Sequence, residues 1–88
     1  MLKPEYSTRF KKDIKRYLHK QDVIDKLNEV IKLLLNKKKL PDKHSDHLLK
    51  GDYVGHRECH IKPDILLIYK VHDNILAMER LGSHSELF

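Results

Sequence analysis

The chain is poor in the features that brace, anchor or export a protein. Cys59 is its single cysteine, which excludes an internal disulfide and fits a reducing compartment. No apolar run approaches the roughly 20 residues needed to span a bilayer. Lys3, Pro4 and Glu5 follow Met1 and Leu2 directly, and no apolar stretch of the kind a secretory signal carries comes after them. The expectation is a soluble, cytoplasmic protein. Internal repeats and low-complexity linkers are absent as well, and 88 residues leave no room for a second core. Residues 1–88 are expected to form a single domain. A domain of this size buries only about 60–65% of the surface its unfolded chain exposes, so a surface cleft is expected in place of an enclosed substrate cavity.

What the chain has in quantity is positive charge, concentrated in one half. The formal charge is +5; residues 1–50 hold 14 Lys/Arg against 7 Asp/Glu, whereas residues 51–88 hold 4 against 6. The N-terminal half therefore supplies a positive field that attracts polyanions whatever their sequence. Lysines that only keep a helical surface soluble would give the same count, so charge alone leaves both readings open.

The hydrophobic pattern changes once, near Pro41. Before it the period is helical. Ser7 is positioned to cap a first helix, in which Phe10, Ile14, Tyr17 and Leu18 fall on one face. Asp22 is expected to cap a second helix, with Ile24, Leu27, Ile31, Leu34 and Leu35 as its apolar stripe and Val23 and Val30 widening it. Lys37, Lys38 and Lys39 lie near its end, where positive charge suits the helix dipole, and Leu40-Pro41 stops it. Leu2 to Glu5 form a candidate edge strand. After Leu48 the pattern is strand-like. Lys50-Gly51-Asp52 suggests a turn. Over residues 55–62, His56, Glu58 and His60 alternate with Cys59 and Ile61. Ile65–Tyr69 is a continuous apolar run typical of a central strand, and Tyr69, which closes it, is expected in the core. His72-Asp73-Asn74 is a turn, Ile75 to Leu81 the last strand, and residues 83–88 a short tail. The layout predicts an α+β domain: two antiparallel N-terminal helices packed on a twisted antiparallel sheet.

Seven histidines is a high count for this length, and His47, His56, His60, His72 and His84 lie in the C-terminal half. Imidazole both donates and accepts protons near neutral pH. A metal-free ribonuclease needs that pair of roles: a base for the ribose 2′-hydroxyl, an acid for the departing 5′-oxygen, and a cation, often Arg, for the phosphoryl oxygens. Any single histidine is more often a surface or turn residue, and His19, His44, His56 and His72 fit that description. Zinc is the competing explanation, but the spacings match no common zinc pattern. Cys59 stands alone and points to the opposite strand face from His60. No phosphate-cradling glycine motif is present. Cys59 shares its side with Ile61, which suggests core and not a nucleophile.

Three segments carry a resemblance. They are Asp46-His47-Leu48-Leu49-Lys50-Gly51; Gly55-His56-Arg57-Glu58-Cys59-His60-Ile61-Lys62-Pro63-Asp64-Ile65-Leu66-Leu67-Ile68-Tyr69; and Arg80-Leu81-Gly82-Ser83-His84-Ser85-Glu86-Leu87-Phe88. In order and spacing they resemble the blocks DHxLxG, RxxHxxPDxxLIY and RxGxHxxLF of YafQ-like toxins, a branch of the RelE/ParE superfamily of type II toxin–antitoxin systems. The resemblance implies the RelE/ParE fold and ribosome-dependent mRNA cleavage without a metal or other cofactor. It implies a site of His47, His60, Asp64, Arg80, His84 and Phe88. His47, His60 and Asp64 fall toward the base and substrate-positioning side, and His84 is the better general acid. Arg80 stabilises the phosphorane, and Phe88 orients the scissile nucleotide. Some relatives carry an aromatic residue where this chain has Ile65, which bears on codon preference and not on the reaction. An acidic antitoxin is implied as a partner. The basic residues Lys11, Lys12, Lys15, Arg16, Lys37, Lys38 and Lys39 then become candidates for docking on ribosomal RNA.

Physics supports part of this set. Leu76, Met78 and Arg80 alternate onto one side of the last strand, which would present Arg80 at a strand end beside Gly82. Arg57 is left between a phosphate contact and a pairing with Glu58 or Asp52. Two other functions remain to be separated from the nuclease: a ParE-like toxin that binds a target such as gyrase, and a plain basic nucleic-acid-binding module. Neither needs His84, so exchanging it for Ala discriminates.

Overall fold

Ser7 starts the first helix as its position predicts. In the computed structural model, which describes Met1–Phe88, its hydroxyl accepts the Phe10 amide at 2.9 Å and donates to the Glu79 carbonyl at 2.7 Å. One side chain thus caps helix α1 (Thr8–Lys15) and ties it to the sheet. The helix is shorter than its apolar spacing suggests. Tyr17 lies beyond its end yet is buried, while Leu18, expected on the inner face, is 61% exposed. The Tyr17 phenol donates to Glu86 at 2.9 Å, so the turn after α1 is shaped by a polar anchor and not by a continued helical stripe.

Helix α2 spans Gln21–Leu35. Asp22 does not cap it. The helix begins after Lys20 without a side-chain cap, and the Asp22 carboxylate instead meets Lys62 at 3.0 Å. That neighbour holds the Asp22 carboxyl below its usual range. The buried stripe is Val23, Leu27, Val30, Ile31 and Leu34. Val23 and Val30, expected only to widen the stripe, lie at its centre, and Ile24 and Leu35 lie at its margins.

Five strands form one sheet in the order β1-β5-β4-β3-β2: Lys3–Tyr6, His47–Leu48, Arg57–Lys62, Ile65–His72 and Ile75–Gly82 are β1 to β5 in chain order. The N-terminal edge strand is present. It runs parallel to β5, so the sheet is mixed and not wholly antiparallel. The two helices and three other strands intervene between β1 and β5, the long connection that a parallel pairing requires.

Two irregularities decide which side chains face which way. In β5, Ile68 pairs with Arg80 but Tyr69 pairs with Met78, leaving Glu79 as an extra residue. A bulge of this kind reverses the alternation beyond it. Leu76, Met78 and Leu81 pack with the helices, while Arg80 shares a face with Ile68. The expected grouping of Arg80 with Leu76 and Met78 is therefore overturned by one inserted residue. In β3, His60 pairs with Leu66 but Lys62 with Ile65, and Ile61 is the extra residue.

The helix-covered face carries the main core. Cys59, Leu67, Tyr69, Leu76, Met78 and Leu81 pack there against Phe10, Leu27 and Val30. The opposite face carries only Leu66, Ile68 and Leu87, with Leu49 and Tyr53 packed at their side. Leu87 belongs to a third helix, α3 (His84–Leu87), where the sequence suggested a tail. Ser83 and Glu86 form a reciprocal capping box that starts it. A side chain at Gly82 would come within 3.1 Å of the Glu86 carboxylate and 3.3 Å of Leu87, so glycine there permits α3 to sit flat on the sheet.

Candidate functional site

The lightly covered sheet face gathers the residues singled out for chemistry. His47 and Glu58 are directly opposite across β2 and β3. His47 Nε2 lies 2.9 Å from Glu58 Oε2, and its Nδ1 lies 2.6 Å from the Ser45 carbonyl. Both ring nitrogens thus face acceptors, which fixes the ring plane. Ser45, with φ 47°, makes the left-handed turn that brings its carbonyl to the ring. The next residue braces the segment from the other face. Asp46 Oδ1 accepts from Arg57 Nε at 3.0 Å and from the Tyr69 hydroxyl at 2.7 Å. Arg57 therefore pairs with neither Glu58 nor Asp52. Asp46 raises the Arg57 guanidinium above its usual value, and burial first, then Asp46, pushes the Tyr69 phenol up.

Glu58 is the residue sequence reasoning passed over. It is 6% exposed, and its Oε1 is buried with no hydrogen-bond partner. An unpartnered buried carboxylate oxygen is costly. It lines a small crevice of about 90 Å³ together with His60, Asp64, His84, Leu66 and Pro63. Three of the expected site residues therefore meet there, and Glu58 joins them to the fourth, His47. The alternation of Glu58 with Cys59 put it on the histidine face, and its burial among imidazoles was the missing signal.

His60 sits at the β3 irregularity, with Nδ1 3.3 Å from the Pro63 carbonyl. Its own carbonyl is held by the Nδ1 of His44, which is 3% exposed. His44, read from sequence as a surface residue, is a buried prop for the backbone of His60. Asp64 lies in the exposed turn between β3 and β4.

His84 is placed by α3. The Glu86 carboxylate accepts from the Ser83 amide at 2.7 Å, from the Tyr17 hydroxyl and from Arg16 at 3.0 Å. The Ser83 amide and the Tyr17 hydroxyl hold the Glu86 carboxyl below its usual range. Burial, with Glu86 second, pushes the Tyr17 phenol up to about 12. The His84 and Phe88 ring centroids are 4.8 Å apart, and Phe88 meets Tyr53 edge-on at 5.7 Å.

Arg80 does not line the crevice. Its Nε and Nη2 donate to Asp13 at 2.8 and 3.2 Å, leaving Nη1 outside that pair. Asp13, 3% exposed, also accepts the Leu81 amide at 3.0 Å. Asp13 raises the Arg80 guanidinium above its usual value. Arg80 and Phe88 line a groove of about 470 Å³ with Arg9, Lys50, Asp52 and Tyr53. The site is thus two compartments divided by α3: an imidazole–carboxylate crevice, and a cationic groove with two aromatic rings. A crevice of that kind exchanges protons, and a groove of that kind takes phosphate and stacks a base.

Of the remaining basic candidates, Lys11, Lys12 and Lys15 are exposed on α1, whereas Arg16 is engaged with Glu86. Lys37, Lys38 and Lys39 are exposed beyond the end of α2. No three His, Cys, Asp or Glu side chains converge in a way that would hold a metal ion. Burial pushes the Cys59 thiol far above its usual value, as befits an inert core residue. No helix is long and apolar enough to cross a membrane.

Comparison with known proteins shows the family and the fold. Residues 2–88 match the family model described as a bacterial toxin of type II toxin-antitoxin system, YafQ. The mRNA interferase toxin YafQ of Escherichia coli K12 is 40% identical over 85 residues, covering 96% of this chain and 92% of the relative. A metal-bound toxin from Helicobacter pylori superposes with a TM-score of 0.92 at 43% identity, each chain covered completely. YafQ in the E. coli DinJ–YafQ complex superposes at 0.88 with 38% identity, covering 100% of this chain and 99% of the other.

Proposed function

The chain belongs to the YafQ family of bacterial type II toxins, and on that premise we propose that it is an endoribonuclease that cuts mRNA on the ribosome without a metal. The observation that carries this reading is the crevice in which α3 holds His84 opposite His60, Asp64 and the unpartnered Glu58 oxygen. An RNA strand laid across the lightly covered face brings a ribose 2′-hydroxyl to the His60–Asp64–Glu58 side. Loss of its proton there lets the 2′-oxygen bond to the adjacent phosphorus. The phosphorus–O5′ bond breaks, and His84 protonates the departing oxygen. The products are a 2′,3′-cyclic phosphate and a 5′-hydroxyl. DNA lacks the attacking group, which makes the chemistry selective for RNA.

Each further residue has a physical task. His47, held between Ser45 and Glu58, keeps the carboxylate oriented. Arg80 keeps one terminal nitrogen for the charge that grows on the phosphoryl oxygens. Phe88 and Tyr53 offer rings on which the neighbouring base stacks. Lys11, Lys12, Lys15, Lys37, Lys38 and Lys39 supply the field that holds the protein to ribosomal RNA; Arg16, already paired, contributes less. An acidic antitoxin that covers this positive surface restrains the toxin, a role supported by the solved complex of the E. coli relative with DinJ.

The test is primer extension on mRNA-programmed ribosomes, with EDTA present and the His84→Ala form run in parallel. Because one relative is a metal-bound toxin, chelation belongs in every reaction. New RNA ends from the unsubstituted protein alone, and only with ribosomes, support the proposal. Equal cutting by both forms removes His84 from the chemistry. No cutting by either moves the reading to a toxin that acts by binding.

A further inference from the structure

A second groove of about 530 Å³ lies between α2, β3 and the 3₁₀ turn Asp42–His44, and no step described above uses it. Its walls are lined by Lys26, Lys43 and Lys62, together with His44, His60, Ile61 and Pro63. No carboxylate lines it. Two of the lysines have exposed partners at the rim: Lys62 meets Asp22 at 3.0 Å and Lys26 meets Glu29 at 3.5 Å. Lys43 forms no ion pair. Exposed pairs of this kind are weak and yield to a competing anion.

Its position is as informative as its charge. His60 and Pro63 line both this groove and the imidazole–carboxylate crevice, so the two run into each other at a residue of the site. The groove of Arg9, Lys50 and Arg80 meets α3 at Leu87, whereas the crevice meets it at His84. A chain seated with one phosphate at His60 and His84 has two ways out. Both are lined by cations, and only the Arg80 side offers Tyr and Phe rings.

We propose that the Lys26–Lys43–Lys62 groove holds the backbone phosphates of the substrate RNA on the His60 side of the scissile bond. The occupant is a single RNA strand, because the groove is continuous with the crevice where the strand reacts. Recognition there is of phosphate more than of base, since lysines act as point charges and no Phe, Tyr or Trp ring lines the groove. The His44 ring, holding the His60 carbonyl between groove and crevice, keeps the wall common to both in place. This inference rests on the nuclease reading for the identity of the strand, and its test is arranged to stand apart from that reading.

The experiment measures binding of a short, fully 2′-O-methylated RNA, which cannot be cut, by fluorescence anisotropy across a salt series. Lys43→Gln/Lys62→Gln is compared with the unsubstituted protein and with Lys3→Gln/Lys32→Gln, a charge-matched pair outside every groove. Two lost phosphate contacts should weaken binding about tenfold at moderate salt and make the log–log salt slope shallower by about 1.4. The control pair should change both far less. Lys43→Gln alone, at an exposed and unpaired position, should give about half the change in slope, and it serves if the double variant fails to fold. Unchanged affinity and slope, an equal loss in the control, or no RNA binding by the unsubstituted protein overturns the proposal. Intact RNA binding with weakened binding of a poly-glutamate peptide also overturns it, and assigns the groove to an acidic polypeptide. Because the probe is uncleavable, the groove stands or falls on binding, and the nuclease reading on cleavage.

Discussion

The two faces of one sheet are built to different standards. Under the helices, Cys59, Leu67, Tyr69, Leu76, Met78 and Leu81 form part of a continuous apolar core. On the other face, the alternate rungs of the same ladders carry Glu58, His60, Leu66, Ile68 and Arg80, covered by the four residues of α3 with Leu49 and Tyr53 at the side. The first face gives up chemistry for packing. The second gives up packing for chemistry, and keeps three buried apolar side chains, Leu66, Ile68 and Leu87, that dock α3 and with it His84 and Phe88. In a domain with room for one core, a functional face is affordable only because the opposite face is dense.

Substitutions that respect this division should separate stability from activity. The largest effect is expected on the open face: His84→Ala, at an exposed position, should lower cleavage about 10²- to 10⁴-fold, the usual worth of a positioned acid or base. Its melting temperature should hardly move. On the helix face, Leu67→Ala should cost about 2–5 kcal/mol in chemical denaturation, enough to threaten the fold of a small domain. Leu66→Ala, one residue along, should fall at the low end of that range yet lose more activity per unit of stability, because it loosens α3. Equal ratios of activity loss to stability loss in Leu66→Ala and Leu67→Ala would break the comparison.

Asp13→Asn tests the seam between the faces. Asp13 reaches from α1 round the sheet edge to hold Arg80 and the Leu81 amide. The substitution should lower the cleavage rate constant more than it weakens substrate binding, since the guanidinium remains but is no longer aimed. A change confined to KM would show that Arg80 needs no aiming.

A smaller effect concerns Glu86. Its folded-state pKa lies below the unfolded value, so it adds stability above the ordinary carboxylate range, and that stability is lost as the pH falls through the lower folded value. Thermal midpoints measured from pH 7 downward should therefore drop more steeply for the unsubstituted protein than for Glu86→Gln once the pH passes below about 4.3. Parallel curves would mean that Glu86 does not anchor α3. The smallest effect is expected at Cys59, which should resist alkylation until the protein unfolds.

Much of this was readable along the chain. The Ser7 cap and the central strand Ile65–Tyr69 needed only spacing, whereas His47, His60, Asp64, Arg80 and His84 are grouped by the family resemblance alone. Helix α3 has its own mark in the sequence, since Ser83-His84-Ser85-Glu86 is a capping box, but its four residues are too few for a helical period to show. The bulge at Glu79 was not readable, because alternation carries no mark of an inserted residue, and it alone decides which face Arg80 occupies. Asp13 and Glu86 act on residues far away in sequence, so their partners exist only in the fold. His44 looked like a turn residue because nothing in its neighbours reveals that a carbonyl sixteen positions on waits for it.

The open face is expected to use the ribose 2′-hydroxyl as the nucleophile. The most direct measurement places a single 2′-deoxy nucleotide at the mapped cut site of an otherwise unmodified mRNA and identifies the ends of any product. The expected result is no cutting at that position, with 2′,3′-cyclic phosphate and 5′-hydroxyl ends on the unmodified message. Cutting at the deoxy position, or 5′-phosphate ends, would contradict the account.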